Sequence, residues 1–155
     1  VRVLIVYDTR RRSGATAHVV SVIAETLRSH GIHVDVARPG QASVDGYDLV
    51  VVGSPIYEEQ VMGSVARFLE ENGGRLADKL VAVFIVCTAQ MAGRLGAKYA
   101  ERHYLPQLLR RLPRKPDAVA IFRGWFLHPN PETLAQAEKW AEELVRLLEE
   151  RGRGR

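Results

Sequence analysis

Cysteine is almost absent from this 155-residue chain: Cys87 stands alone. A single thiol excludes an internal disulfide and fits a reducing compartment, so the cytoplasm is the expected location. The five histidines are scattered, and no Cys/His group stands at metal-ligand spacing. Long apolar runs are missing too. The longest extend only a few residues, far short of the ~20 that a membrane-spanning helix needs. No basic leader precedes an apolar stretch, which argues against export. Aromatic residues are sparse at 7%, and none interleaves the arginines at Arg10, Arg11 and Arg12 or at Arg151, Arg153 and Arg155. Those arginines supply part of the positive excess behind a net charge of +4. Without stacking residues among them, no nucleic-acid partner is expected. Residues 151–155 read instead as a disordered basic tail behind one domain spanning 1–150.

What the chain does have is a regular rhythm. Short apolar runs alternate with amphipathic stretches from end to end. They predict strands near 1–7, 32–37, 48–53, 80–87 and 117–123, and helices near 15–30, 61–72, 93–111 and 131–150. Such alternation predicts a parallel sheet covered by helices on both faces. Local signals mark the boundaries. Val19, Val20, Ile23, Ala24 and Leu27 share one face of the first helix, which stops at Gly31. Pro106 should kink or divide the helical stretch at 93–111. Asn130 reads as the cap of the last helix and Pro131 as its first turn. The stripe of that helix is Leu134, Ala137, Ala141, Leu144, Leu147 and Leu148. In an open parallel sheet, ligands bind beyond the carboxyl ends of the strands, where strand order reverses. Any site should therefore be assembled from segments 8–16, 54–60, 88–93 and 123–130.

Two of these segments carry chemistry. After the first strand, Ser13-Gly14-Ala15-Thr16 leads into a helix whose first amides are unpaired donors at its positive end. Ser13 and Thr16 offer hydroxyls, Gly14 permits close backbone approach, Thr9 adds a hydroxyl at the start of the loop, and one arginine of Arg10–Arg12 suffices to touch a phosphate. Alone, this pattern serves equally as a plain helix start behind a solvated basic loop. The Gly-Lys-[Ser/Thr] ending of a P-loop is missing, as is Gly-x-Gly-x-x-Gly. After the third strand, Gly53-Ser54-Pro55-Ile56-Tyr57 delivers an aromatic ring on a tight loop, suited to a flat ligand.

Together these loops resemble the flavodoxin family. Gly-Ser-Pro-Ile-Tyr is similar in particular to the flavodoxin domain of the menaquinone-dependent protoporphyrinogen oxidase-like group, and further matches run through nearly the whole chain. They include the opening strand 1–7, Tyr47-Asp48, Arg67-Phe68-Leu69, residues 82–87 and Ala120-Ile121-Phe122-Arg123-Gly124. The resemblance implies a three-layer, doubly wound, flavodoxin-like sheet of five parallel strands in the order 2-1-3-4-5. It implies flavin mononucleotide (FMN) as cofactor, its phosphate at 13–16 with Thr9 nearby. The isoalloxazine ring is expected between Ser54, Pro55, Ile56 and Tyr57 on one side and Thr88, Ala89 and Gln90 on the other, with Tyr57 stacking.

This chain departs from the family in three places. The segment from Thr9 to Gly14 is about two residues longer than the usual Thr-x-x-Gly-x-Thr loop. Glu58-Glu59 follows the tyrosine, where a glycine normally stands two residues on. Only residues 125–130 separate Gly124 from the last helix, where protoporphyrinogen oxidases carry a long insertion, which argues against a porphyrin substrate. Other chemistry lacks its residues. A phospho-receiver needs an aspartate at the end of the third strand, where Ser54 stands, and Arg94 lies too far from Cys87 for a Cys-x5-Arg phosphatase loop. Cys87 reads as a buried structural thiol, and Trp125, Phe126 and His128 as cover for the sheet end or, alternatively, as a wall of the pocket. The expected function is electron transfer through FMN, in a small oxidoreductase serving a redox partner protein or a quinone-like substrate. No side chain is assigned as general acid or base. The alternative is a flavodoxin-fold interaction module that has lost FMN.

Overall fold

The structure is a computed structural model and describes residues 1–87 and 93–154. In chain order it runs β1 (Arg2–Tyr7), α1 (Ala15–Ser29), β2 (His33–Ala37), β3 (Leu49–Tyr57), β4 (Gln60–Val61), α2 (Gly63–Leu76), β5 (Leu80–Cys87), α3 (Gly93–His103), α4 (Pro106–Leu109), β6 (Ala118–Arg123) and α5 (Pro131–Arg153). Five strands form a parallel sheet in the order β2-β1-β3-β5-β6, and β4 pairs antiparallel with the end of β3. With that short strand set aside, this is the expected 2-1-3-4-5 order.

The pleat explains the three layers. Alternate residues of one strand point to opposite faces, so a strand covered on both sides is apolar throughout. In β1, Val3 and Ile5 join α1 and α5 on one face, while Leu4 and Val6 meet the α2, α3 and α4 side on the other. β5 divides the same way, with Ala82, Phe84 and Val86 on one face and Val83, Ile85 and Cys87 on the other. Every residue of β5 is buried. Each fully buried Val, Leu or Ile stabilises the fold by roughly 1.5–3 kcal/mol, so these two central strands anchor it.

Several boundaries fall where the local signals put them. Pro106 opens α4 after α3 has ended at His103, dividing the helical stretch in two. The Asn130 side chain accepts from the backbone amides of Glu132 (3.0 Å) and Thr133 (3.5 Å), capping α5 ahead of Pro131. The buried face of α5 is rotated relative to the expected stripe: Trp140 and Val145 are buried, while Leu134 and Leu147 are only half-buried. Trp140 meets Phe84 and Phe122 edge-on, and this aromatic cluster turns the helix.

Two expectations need correction. Residues 151–153 are not a disordered tail. α5 continues through Arg153, because Leu148 buries its last turns, Arg151 donates to the Asp78 carbonyl (2.5 Å), and Arg153 faces Glu149 one turn back. β3 also does not stop at Gly53. It runs to Tyr57 and folds back through β4, so the ring loop is a hairpin.

Candidate functional site

β1 and β3 are neighbours whose following helices leave toward opposite faces of the sheet. That divergence opens a crevice at their carboxyl ends, the usual ligand position in open α/β sheets. A cavity of about 560 Å³ lies there.

One end of the cavity is the start of α1. Gly14 is the N-cap, and no side chain caps the helix. The first-turn amides therefore keep their donor capacity, at the positive end of a 15-residue helix. Thr9, Ser13, Gly14, Ala15 and Thr16 all line this end, and Arg11 joins them. The longer loop does not carry Thr9 away, because its hydroxyl is held 3.2 Å from the Tyr57 hydroxyl. Arg10 goes elsewhere: its guanidinium lies 4.5 Å from the centre of the Tyr57 ring, and it does not line the cavity.

The other end is built by the β3–β4 hairpin. Pro55, Ile56 and Tyr57 line it. The expected Ser54 does not, for it is fully buried. Its hydroxyl donates to the Pro55 carbonyl (2.7 Å) and accepts from the Met62 amide (2.9 Å), bracing the hairpin from behind. The turn residues Glu58 and Glu59 both have positive φ, 51° and 67°. For residues bearing a Cβ this left-handed conformation costs roughly 1–2 kcal/mol each. Compensation comes from the side facing α3 and α4. Glu59 accepts from the hydroxyls of Tyr99 (2.5 Å) and Tyr104, and Gln107 donates to its carbonyl (3.0 Å). Those two hydroxyls hold the Glu59 carboxyl below its ordinary range. Among the described residues, the carboxylate meets these tyrosines and does not line the cavity.

Asp8, at the end of β1, fastens the crevice from below. It accepts from the Arg38 guanidinium (2.7 Å), the Ser64 hydroxyl (2.6 Å) and the Thr9 amide (2.9 Å). Partial burial pushes its carboxyl upward, but the bonds from Ser64, Thr9 and Arg38 outweigh burial and leave it below its ordinary value. Arg38 and Ser64 lie 30 and 56 residues away, so no local pattern announces them.

The third wall comes from the loop before the last helix, whose Trp125, Phe126 and His128 suit either a cover for the sheet end or a wall of the pocket. Trp125, Phe126, Leu127 and Pro129, from the loop between β6 and α5, line the cavity together with His18 and Val86, whereas His128 does not. Trp125 stands edge-on to His18, with ring centroids 5.6 Å apart. β6 is an edge strand of the sheet, and the short connection from it to α5 supplies this wall. Thr88, Ala89 and Gln90 lie outside the described residues. Cys87 is buried at the end of β5, and burial raises its thiol to about 11. Among the described residues, no group of three or more His, Cys, Asp or Glu side chains is placed to hold a metal ion. No helix among them is long and apolar enough to cross a membrane.

Fold and site together define a doubly wound α/β protein with a nucleotide-sized crevice at its switch point, polar at one end and aromatic at the other. Residues 4–135 match the family described as "Flavodoxin domain", and the chain belongs to that family. It is 26% identical over 135 residues to protoporphyrinogen IX dehydrogenase [quinone] of Escherichia coli strain K12, an alignment covering 84% of this chain and 72% of that one. Among solved structures it resembles a short-chain flavodoxin associated with a bacterial microcompartment (TM-score 0.69, 18% identity, 95% of this chain and 98% of that one). It also resembles the rubredoxin oxygen:oxidoreductase of Desulfovibrio gigas (TM-score 0.64, 20% identity, 96% of this chain). There it spans only 36% of the longer protein. At such identities the likeness to solved structures shows the fold.

Proposed function

We propose that this protein binds FMN in the crevice between α1 and the β3–β4 hairpin and uses it for electron transfer, as a small flavin-dependent oxidoreductase. The observation that carries the reading is the polarity of the cavity. An uncapped helix N-terminus with the hydroxyls of Ser13, Thr16 and Thr9 suits a phosphate. Pro55, Ile56, Tyr57 and Trp125 suit a flat ring system. Its volume lies within the ordinary range for cofactor sites, about 300–1,000 Å³. The donor set therefore fits the group. Bound FMN would supply the electron chemistry, while the protein fixes its orientation and tunes it through the groups around the ring.

The acceptor or donor belongs to the same proposal: a redox partner protein or a quinone-like substrate, by analogy with the quinone-linked dehydrogenase it resembles. The short 125–130 connection argues against a porphyrin. A net charge of +4 disfavours a general docking partner that is itself basic. One observation favours the alternative of an interaction module without flavin: the Arg10 guanidinium already covers a face of the Tyr57 ring.

The experiment is direct. Purified protein is titrated with FMN, and visible absorption and flavin fluorescence are followed. Saturable uptake with a perturbed flavin spectrum supports the reading; no uptake replaces it with the interaction module. A redox titration of the loaded protein then separates an electron shuttle, passing through two one-electron steps, from an oxidoreductase showing a single two-electron step.

A further inference from the structure

We propose that Glu59 is a positioning residue for Tyr57: by accepting from Tyr99 and Tyr104 it clamps the hairpin turn to α3 and the connection that follows it, and so fixes the ring wall of the cavity. The part of the proposal that concerns ligand affinity rests on the FMN reading above.

Among the described residues, the turn is the least relaxed backbone near the site, with two successive non-glycine residues at positive φ. A conformation of that kind persists only where its surroundings over-determine it. Among the described residues, three side chains do so. The Tyr99 hydroxyl donates at 2.5 Å, the buried Tyr104 hydroxyl donates to the other carboxylate oxygen, and Gln107 bridges the turn to α4. Gln107 uses both ends of its amide, giving a hydrogen bond to the Glu59 carbonyl and accepting one from the Val61 amide (3.0 Å). These contacts fall on Glu59 and Val61, while Tyr57 and Ile56 pair with Gln60 and Val61 in the same hairpin. Fixing one strand of a two-residue turn fixes the other, because the register leaves no slack. The carboxylate thus acts at a distance from the ligand, through the ring it holds in place.

The test uses two routes to the same loss. Glu59→Gly relieves the left-handed strain while removing the clamp. Tyr99→Phe with Tyr104→Phe removes only the two donors and leaves the carboxylate and the packing. Each is expected to weaken FMN binding about tenfold in a fluorescence titration. Each is also expected to have no further effect once Tyr57→Ala is present. Without any ligand, amide hydrogen exchange at Gln60 and Val61 should quicken about tenfold in the Tyr99→Phe, Tyr104→Phe variant, while a distant core amide such as that of Val51 is unchanged. Wild-type FMN affinity in both variants overturns the proposal, and so does an equal loss in the Tyr57→Ala background. If the wild-type protein takes up no FMN, the proposed function fails and hydrogen exchange alone decides: unchanged exchange at Gln60 and Val61 refutes the clamp.

Discussion

The Tyr57 hydroxyl lies 3.2 Å from Thr9 Oγ1, so the hairpin after β3 is tied to the loop before α1 across 48 residues. The same hydroxyl accepts from the Arg10 amide at 3.4 Å. Tyr57 therefore does two things: its ring walls the cavity, and its hydroxyl holds the polar end against the aromatic end.

Those two contributions separate by substitution. Tyr57→Ala is expected to weaken FMN binding roughly tenfold or more, losing both the stacking term of about 1 kcal/mol and buried area. Tyr57→Phe keeps the ring and should cost only a few-fold. His128→Ala, outside the lining, should change nothing. A fluorescence titration of the three variants against wild type checks the order. Equal binding by Tyr57→Ala and wild type would remove the ring from the site.

If the start of α1 receives a phosphate, FMN must bind more tightly than riboflavin. The margin should be about tenfold or more, the scale of a charge-assisted hydrogen bond. Arg11→Ala and Ser13→Ala should narrow that margin while leaving riboflavin affinity alone, and added salt should narrow it further. Parallel titrations with the two flavins measure it.

Gly53 has no room for a side chain. A Cβ there would come within 2.0 Å of the Phe84 ring, which is fully buried and packed against Phe122 and Trp140. Gly53→Ala should destabilise the protein by about 1–3 kcal/mol through overpacking. The measurement is a denaturant midpoint at constant m-value.

The depressed Asp8 carboxyl makes a pH prediction. Its folded-state pKa lies below the ordinary 3.8, so the unfolded chain takes up that proton more readily. The stabilisation from Asp8 is complete above about 3.8 and is lost as pH falls through the lower folded value. Asp8→Asn should therefore lower Tm near neutral pH and flatten the acid limb below about pH 4. If the limb keeps its wild-type slope, Asp8 is not its source.

Cys87 should resist thiol reagents in the native state. Its burial and raised thiol leave almost no thiolate at neutral pH. Labelling should follow global unfolding across a urea series rather than proceed on the folded protein.

How far the residues foretold all this varies with the distance over which each feature is decided. The split at Pro106 and the cap at Asn130 depend on a few neighbouring atoms, and both stood in the sequence. Strand order came from the resemblance rather than from periodicity. Loop position pointed to segments 8–16 and 54–60, and the resemblance singled out residues within them; Thr9, Ser13, Gly14, Ala15, Thr16, Pro55, Ile56 and Tyr57 line the cavity there. Ser54 and Arg10 were expected with them. Ser54 was instead taken by the Met62 amide and Arg10 by the Tyr57 ring, partners that no spacing rule supplies.

The sequence by itself determined the elements, their alternation and the end of the sheet where a ligand can sit, because apolar period, caps and breakers act over a turn or two of chain. Only tertiary structure decided which side chains reach the crevice. The Asp8 link to Arg38 and Ser64, the tyrosine hold on Glu59 and the entry of Trp125 into the wall each join segments far apart in sequence. A hydrogen bond or ring contact is settled by ångströms, and those distances exist only once the sheet has brought the loops together.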